Sequence, residues 1–186
     1  MPACPFRPLH AQIFSERCLG SKREYAVAIA VDVSLSMHGP LAACAMDALV
    51  TLVAALTQQL GREDFVLLAF GKDVRLIKPA AEPWDGAAAF ALLSQMRFDV
   101  EAATQDAAAV DAAAALLRAQ APRGAPKRLF VLTDGYGSTG TQLAAALARA
   151  EEAGVEVVGL AVGLERSHVP RCYSRWVHAA LPSELP

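Results

Sequence analysis

An uninterrupted apolar run that ends on a carboxylate is the feature that most restricts how this chain can fold. Residues 25–31 read Tyr-Ala-Val-Ala-Ile-Ala-Val, and Asp32 follows directly. A run without alternation of polar and apolar residues predicts a strand buried on both faces, as in a parallel sheet covered by helices. A helical pattern rich in Ala and Leu begins after Gly39-Pro40. Asp32 therefore stands at the carboxyl edge of a buried strand, where open α/β sheets bind their ligands.

The rest of the chain continues this alternation of strands and helices. The turn signal Gly71-Lys72-Asp73 predicts a hairpin, so the third strand should be antiparallel and lie at an edge of the sheet. The elements together predict a doubly wound, Rossmann-like α/β fold, a mostly parallel sheet of about six strands with helices on both faces. The predicted strands are 25–32, 65–70, 74–77, 129–133 and 155–162, the predicted helices are 41–60, 84–96, 104–120 and 141–153, and a short helix and a last edge strand are expected within 173–181.

The composition indicates one folded domain with a substantial core. Of the 186 residues, 54% are hydrophobic and 19% are charged, which is too apolar for a disordered chain. We interpret residues 1–24, which contain Pro2, Pro5 and Pro8, as a flanking segment or linker. Residues 25–186 are then the domain.

Charge, apolar runs and cysteines restrict the classes of partner and the cellular location that we expect for the protein. The net charge is −2 and the basic residues are scattered, so neither a nucleic acid nor a membrane is expected as a partner. The sequence has no run of 18 apolar residues, and its N-terminus lacks the apolar region of a secretory signal. The four cysteines show no C-x-x-C pair and no zinc spacing. We therefore expect a soluble protein in a reduced, intracellular location, either cytoplasmic or nuclear.

Two hydroxyl side chains accompany Asp32 at alternate positions. Ser34 and Ser36 follow it in an extended segment, where every second residue projects to the same side. A carboxylate with two neutral oxygens suits a hard divalent cation such as Mg²⁺, which takes about six oxygen ligands. The alternative is a strand-end Asp followed by serines that cap the next helix. This stretch alone leaves both interpretations open.

A second acid and a threonine are predicted at the same edge of the sheet. Asp134 follows the strand 129–133 as Asp32 follows the first strand, and neighbouring strands of a doubly wound sheet bring such ends together. Thr104 stands where a predicted helix begins, after a loop from the same edge. Its alternative role is that of a helix N-cap. With the other four residues in place, the ligand role is favoured.

These positions resemble the metal-ion-dependent adhesion site of von Willebrand factor A domains. The resemblance spans residues 25–162 and includes the motif Leu132-Thr133-Asp134-Gly135. It implies a bound Mg²⁺, replaceable by Mn²⁺ or Ca²⁺, a protein partner whose Asp or Glu completes the metal coordination, and no catalysis. The metal ligands that it implies are Asp32, Ser34, Ser36, Thr104 and Asp134.

Within this family the chain is similar to midasin-type intracellular A domains. The similarity lies in residues 22–25 before the first strand, in the turn after Phe70 and in the spacing from Phe98 to Thr104. It implies a role in a larger intracellular assembly and a partner with a ubiquitin-like domain. The chain departs from that pattern at Val33, where an acid is expected.

Two enzymatic alternatives follow from other motifs. Residues 135–140 match the dinucleotide fingerprint G-x-G-x-x-G, although the charge of Asp134 would oppose a pyrophosphate there. A metal-assisted hydrolase would use His38 as a base beside the serines. The remaining acids near this edge are expected to be solvated loop residues, and Tyr136 is a candidate for a contact surface. Those acids are Asp99, Glu101 and Asp106.

Overall fold

The structure is a computed structural model of the chain. It describes residues 25–84, 103–122, 124–137, 140–163 and 168–179. The predicted flank 1–24 lies outside these residues, as does the predicted helix 84–96 apart from Trp84.

Six strands form one sheet in the order β3-β2-β1-β4-β5-β6. Every neighbouring pair is parallel except β2 and β3, which form the predicted hairpin at one edge. The predicted doubly wound fold with one antiparallel edge strand is therefore confirmed. The strands are β1 (Ala26–Asp32), β2 (Val66–Phe70), β3 (Val74–Lys78), β4 (Lys127–Thr133), β5 (Val155–Val162) and β6 (Trp176–Ala179).

Four α-helices are described, and the short one precedes the last strand. A 3₁₀ turn over Leu35–Met37 separates β1 from the first helix, which continues into a π-helical turn over Ala55–Gln59. The third described helix begins at Gly140, at the end of the glycine-rich loop that follows β4. The helices are α1 (Pro40–Ala54), α2 (Asp106–Gln120), α3 (Gly140–Glu152) and α4 (Val169–Cys172).

The uninterrupted apolar pattern of β1 arises because the sheet is covered on both faces. Ala28 and Ala30 belong to the core that contains residues of α2 and α3. Ile29 and Val31 belong to the core on the other face, with residues of α1. All four side chains are fully buried. Alternate residues of the strand enter opposite cores, so neither face tolerates a polar residue.

The strand order places β1 beside β4 at the point where the chain reverses direction across the sheet. The chain builds β2 and β3 on one side of β1 and then returns to place β4 to β6 on the other. The crevice outside the carboxyl ends of β1 and β4 is therefore the topological switch point, where ligands bind in open α/β sheets.

The segment Pro40–Gln58 is the one described helix that is long and apolar enough to cross a membrane, with a mean hydropathy of 1.8. A core helix of a soluble protein meets the same criterion. Cys44, Leu49 and Val53 on this helix are buried against the sheet in the second core. One face of this helix therefore belongs to the core.

A buried lysine ties the edge strand β3 to the segment before β2. The Lys78 side chain is fully buried, and its Nζ donates hydrogen bonds to three backbone carbonyl oxygens. These distances are 2.7 Å to Glu63, 3.0 Å to Phe65 and 3.2 Å to Pro79. The ammonium group also lies 4.5 Å from the centre of the Phe65 ring. Carbonyl oxygens and the ring face replace the water that the buried charge has lost.

We expect Lys78→Met to lower the free energy of unfolding by about 2 kcal/mol. The change leaves three carbonyls, of which that of Phe65 is buried, without this donor, and the loss is partly offset because no charge has to be desolvated. Urea denaturation measures the effect. Lys72→Met, at an exposed position of the β2–β3 turn, is the control and should change stability by less than about 0.5 kcal/mol. Equal effects of the two changes would contradict a structural role for the buried ammonium group.

Candidate metal centre

The carboxyl ends of β1 and β4 bring two of the predicted acids together. Asp32 is the last residue of β1, and Asp134 directly follows Thr133, the last residue of β4. The Thr133 hydroxyl donates a hydrogen bond of 2.7 Å to Asp32 Oδ2. This bond joins the ends of the two strands. Both acids are buried, and their charges are close enough for Asp134 to affect the titration of Asp32.

The loop after β1, residues 33–39, is called the first loop and folds around the Asp32 carboxylate. The backbone N–H of Ser34 donates to Asp32 Oδ1 at 2.9 Å, and the Ser34 and Ser36 hydroxyl oxygens lie 3.2 Å apart. The N-cap of α1 is Gly39, and neither serine makes a side-chain capping hydrogen bond. The alternative in which these serines cap the next helix is therefore not what the structure shows.

The loop after β4, whose described residues are 134–137, is called the third loop and is held by its own backbone and by α4. The N–H of Tyr136 donates to Asp134 Oδ1 at 3.0 Å, and the N–H of His168 donates to the Asp134 carbonyl oxygen at 2.9 Å. Gly135 has φ +83°, and a Cβ built on it would lie 2.5 Å from the backbone nitrogen of Val169. Both the conformation and this close approach require glycine. Asp134 is thereby held in a defined position.

The segment before α2, whose described residues are 103–105, is called the second loop; it carries Thr104 and reaches the same edge. The backbone N–H of Gln105 donates to the carbonyl oxygen of Gly71, directly after β2, at 2.9 Å. Gln105 also occupies the N-cap position of α2, so Thr104 is not the capping residue. Thr104, the residue before Gln105, is partly exposed. The five predicted ligands therefore come from three loops at one edge of the sheet.

One acid that was expected to be solvated is buried at this edge. Asp106, the first residue of α2, is 4% exposed, and a Cβ built on Gly137 would overlap its Oδ2. The expectation of a solvated loop acid is wrong for Asp106, because the third loop covers its carboxylate. Asp99 and Glu101 lie outside the described residues.

We expect Gly137→Ala to destabilise the fold by about 1 to 3 kcal/mol and to weaken cation binding, since the added methyl group must displace either the buried Asp106 carboxylate or the third loop. Thermal unfolding and a Mn²⁺ titration measure the two effects. Gly140→Ala is the matched control, because a Cβ there meets no atom within 4 Å. The double variant Gly137→Ala/Asp106→Ala should recover part of the loss, and strictly additive effects would contradict the contact.

Burial disfavours the ionised form of the Asp32 side chain. The side chain has no solvent exposure, and this desolvation raises its pKa to about 6, although hydrogen bonds from Ser34 and Thr133 favour the ionised form. The nearby Asp134 charge raises the pKa further. A cation at this position would relieve both the desolvation and the repulsion.

The chemistry of these side chains suits a hard cation. All the candidate ligand atoms are carboxylate or hydroxyl oxygens, which Mg²⁺, Mn²⁺ and Ca²⁺ prefer. The 3.2 Å between the two serine hydroxyls is close to the separation of about 3.0 Å expected for adjacent oxygens around Mg²⁺. Within the described ranges, no group of three His, Cys, Asp or Glu side chains is arranged to hold a metal ion. A site here would therefore depend on hydroxyl ligands as well as on Asp32 and Asp134.

Thr133 is the positioning residue that the sequence did not reveal. Its hydroxyl donates to Asp32 and accepts a hydrogen bond of 3.0 Å from the N–H of Gly135. The sequence offered one signal, a hydroxyl side chain at the end of the otherwise apolar run 129–132. Thr also favours strands as a β-branched residue, so this signal has an ordinary structural explanation.

Comparisons with known proteins agree with this architecture. Three solved structures are similar in fold to the chain, although their sequence identities are only 10–18%. The conserved hypothetical protein BatB from Bacteroides thetaiotaomicron has 18% identity and a TM-score of 0.63, over 83% of this chain and 90% of that one. Manganese-loaded Plasmodium vivax TRAP protein has 15% identity and a TM-score of 0.65, over 84% and 68%. The SpRpn10 VWA domain has 10% identity and a TM-score of 0.61, over 84% and 89%.

A sequence profile extends the comparison to the family. No curated protein matches the chain in sequence. The profile of the von Willebrand factor type A domain, in contrast, matches residues 26–171, from the start of β1 to within α4. The chain therefore belongs to the von Willebrand factor type A domain family.

Proposed function

We propose that this domain binds a protein partner through a divalent cation held at the carboxyl ends of β1 and β4. Domains of this family are typically protein-interaction modules, often metal-dependent. The observation that carries the proposal is the pair of buried acids, Asp32 and Asp134, whose strand ends are joined by the Thr133 hydroxyl. The hydroxyls of Ser34, Ser36 and Thr104 would complete the ligand set from this chain.

The residues around the candidate centre would hold the ligand oxygens in place before the cation binds. The Ser34 N–H and the Thr133 hydroxyl orient the Asp32 carboxylate, and the Tyr136 N–H orients that of Asp134. Only two of the five residues are charged, and five oxygens leave one of the about six coordination positions of Mg²⁺ open. When bound, the cation supplies a positive centre that can take one further anionic oxygen from a partner. An Asp or Glu of the partner fits this requirement.

The resemblance to midasin-type domains narrows the proposed class of partner and the proposed cellular setting. It rests on sequence motifs near Tyr25, Phe70 and Thr104. On that basis we propose an intracellular assembly as the setting and a ubiquitin-like domain as a candidate partner. A purified panel of ubiquitin-like domains, each presented with and without Mg²⁺, would test the narrower proposal separately from cation binding.

The decisive experiment combines cation binding with partner capture. We expect the chain to bind Mn²⁺ and Mg²⁺ in titrations, and immobilised chain to retain a specific protein from a lysate in Mg²⁺ and release it in EDTA. Asp32→Ala should abolish both. Asp47→Ala, on the exposed surface of α1, is the matched control and should change neither. Retention that survives both EDTA and Asp32→Ala would overturn the proposal.

The structure argues against the dinucleotide alternative. The fingerprint does follow β4 and precede α3, as a phosphate loop would. However, the Asp106 carboxylate lies against Gly137, the second glycine of that fingerprint, where a bound pyrophosphate requires open space and donors. Asp134 adds a second buried acid beside the same loop. Two carboxylates at this position would repel a phosphate.

The hydrolase alternative lacks its catalytic contact. In the described part of the chain, neither serine hydroxyl is hydrogen-bonded to a histidine, and the Ser34 hydroxyl is paired with that of Ser36. His38 is exposed, directly before the N-cap of α1. A serine nucleophile needs a base within hydrogen-bond reach. The interaction module remains the better account of this geometry.

A further inference from the structure

We propose that two exposed apolar side chains beside the candidate metal centre, Leu35 and Tyr136, select a partner segment in which the acidic residue has a bulky apolar neighbour. This inference rests on the proposed function and specifies the partner of that same site. We call Leu35 and Tyr136 together the apolar rim. The proposed occupant is a protein segment with an Asp or Glu next to a large aliphatic or aromatic residue.

Leu35 is held outward by the first loop. It lies between the two candidate serine ligands, yet it is 42% exposed whereas Ser34 is 1% exposed. The turn is fixed by hydrogen bonds of 3.0 Å from the Met37 N–H to the Ser34 carbonyl oxygen and of 3.1 Å from the His38 N–H to the Leu35 carbonyl oxygen. Because this backbone is already ordered, the turn itself loses little freedom when a partner covers Leu35.

Tyr136 is held in a similar way by the third loop. Its backbone N–H donates to Asp134 Oδ1, so its backbone is in direct contact with a candidate metal ligand. Its ring packs edge-on against the His168 ring at 4.2 Å between centres, and the side chain remains 46% exposed. An aromatic side chain that is both restrained and exposed is typical of an interface anchor.

The position of the apolar rim distinguishes it from other exposed apolar residues. Leu35 and Tyr136 lie on the loops that follow the neighbouring strands β1 and β4, which also carry the two candidate acid ligands. The other large apolar side chains exposed in the described residues lie on α1, after it, or on the edge strands. They are Val50, Leu60, Leu76, Trp176 and Val177. A partner carboxylate at the cation would bring its neighbouring residues against the apolar rim and not against those positions.

The test uses defined peptides on beads and the whole chain in Mg²⁺. One probe is a multivalent peptide with a central Asp between Leu and Phe, the second replaces both neighbours by Gly, and the third replaces the Asp of the first by Asn. We expect the chain to prefer the first probe over the second by at least about tenfold, from the apolar area covered. The Asn probe, and any probe in EDTA, should not be retained.

Variants assign that preference to the apolar rim. Leu35→Ser/Tyr136→Ser should lower the ratio between the first and second probes to near one, whereas Tyr136→Phe should keep it. Val50→Ser/Leu76→Ser, at two similarly exposed apolar positions away from the site, is the matched control and should leave the ratio unchanged.

The possible outcomes separate the inference from the proposed function. The inference about the apolar rim is overturned if the first two probes are retained equally in Mg²⁺. It is also overturned if the preference remains in Leu35→Ser/Tyr136→Ser. Either result leaves carboxylate capture by the cation intact. If Mg²⁺ binds to the chain but no Asp probe is retained, carboxylate capture fails, and the inference fails with it.

Discussion

Replacing Asp32 with Asn should make the cation-free domain more stable at pH 7 and at the same time remove its response to Mg²⁺. The buried carboxylate has a pKa raised to about 6 from 3.8, chiefly by desolvation. The shift corresponds to about 3 kcal/mol of stability lost when the group ionises in the folded chain. An amide avoids the charge but presents one acceptor fewer to the Ser34 N–H and the Thr133 hydroxyl. We therefore expect a net gain of about 1 to 2 kcal/mol.

The same shift fixes how stability depends on pH in the absence of metal. Between about pH 4 and pH 6 the folded chain holds a proton on Asp32 that the unfolded chain has released. Folding is then linked to proton uptake, so stability falls as the pH rises through this window and stays low above it. The slope from this residue should disappear in Asp32→Asn.

Urea unfolding in EDTA and in Mg²⁺ at pH 4 to 8 measures all three effects. Wild-type chain at a Mg²⁺ concentration of about 100 times its Kd should gain about 2.7 kcal/mol, whereas Asp32→Asn should gain none. Asp47→Asn, at an exposed acid of α1, should behave as wild type. An Asp32→Asn protein that is less stable than wild type in EDTA would show that the carboxylate stabilises the fold by itself.

The sequence was sufficient to predict the fold because the hydrophobic pattern of each strand reports whether one or both of its faces are buried. Ala28 and Ile29 enter opposite cores, so β1 had to be uninterrupted in its hydrophobicity, and this marks a central strand of a covered sheet. The short connection of residues 71–73 could only join antiparallel neighbours. The order of elements then left few topologies, and all of them place the ends of β1 and β4 at one edge.

The contacts between the loops could not be predicted in this way. Asp106 and Gly137 are distant in sequence, and their contact depends on how α2 and the third loop approach one another. Thr133 looks like any strand residue until its hydroxyl is seen between Asp32 and Gly135. Sequence periodicity reports which face of an element is buried, but it does not report which polar groups of different loops meet. The sequence was therefore enough to predict that the ends of β1 and β4 lie together, but not the side-chain contacts that support them.

Thr133→Val tests how far the centre depends on such a support. The two side chains have nearly the same shape, so the change removes the hydroxyl and leaves the packing of β4 in place. It deprives the buried Asp32 Oδ2 of its donor and the Gly135 N–H of its acceptor. Unpaired buried groups, one of them on a charged carboxylate, should lower the free energy of unfolding by about 3 to 4 kcal/mol.

The effect on the cation should be separable from this loss of stability. Without the Thr133 hydroxyl the Asp32 carboxylate keeps the Ser34 N–H as a donor but loses the hydrogen bond that holds Oδ2, and the end of β4 loses its side-chain link to β1. Loss of such an orienting hydrogen bond typically weakens metal binding by about 10- to 100-fold. A Mn²⁺ titration at a temperature where the variant is folded measures this change, with Thr51→Val on the exposed surface of α1 as the control. Thr133→Ser, which restores the hydroxyl, should recover most of the affinity. An unchanged Mn²⁺ affinity in a folded Thr133→Val protein would mean that Asp32 is not oriented through Thr133.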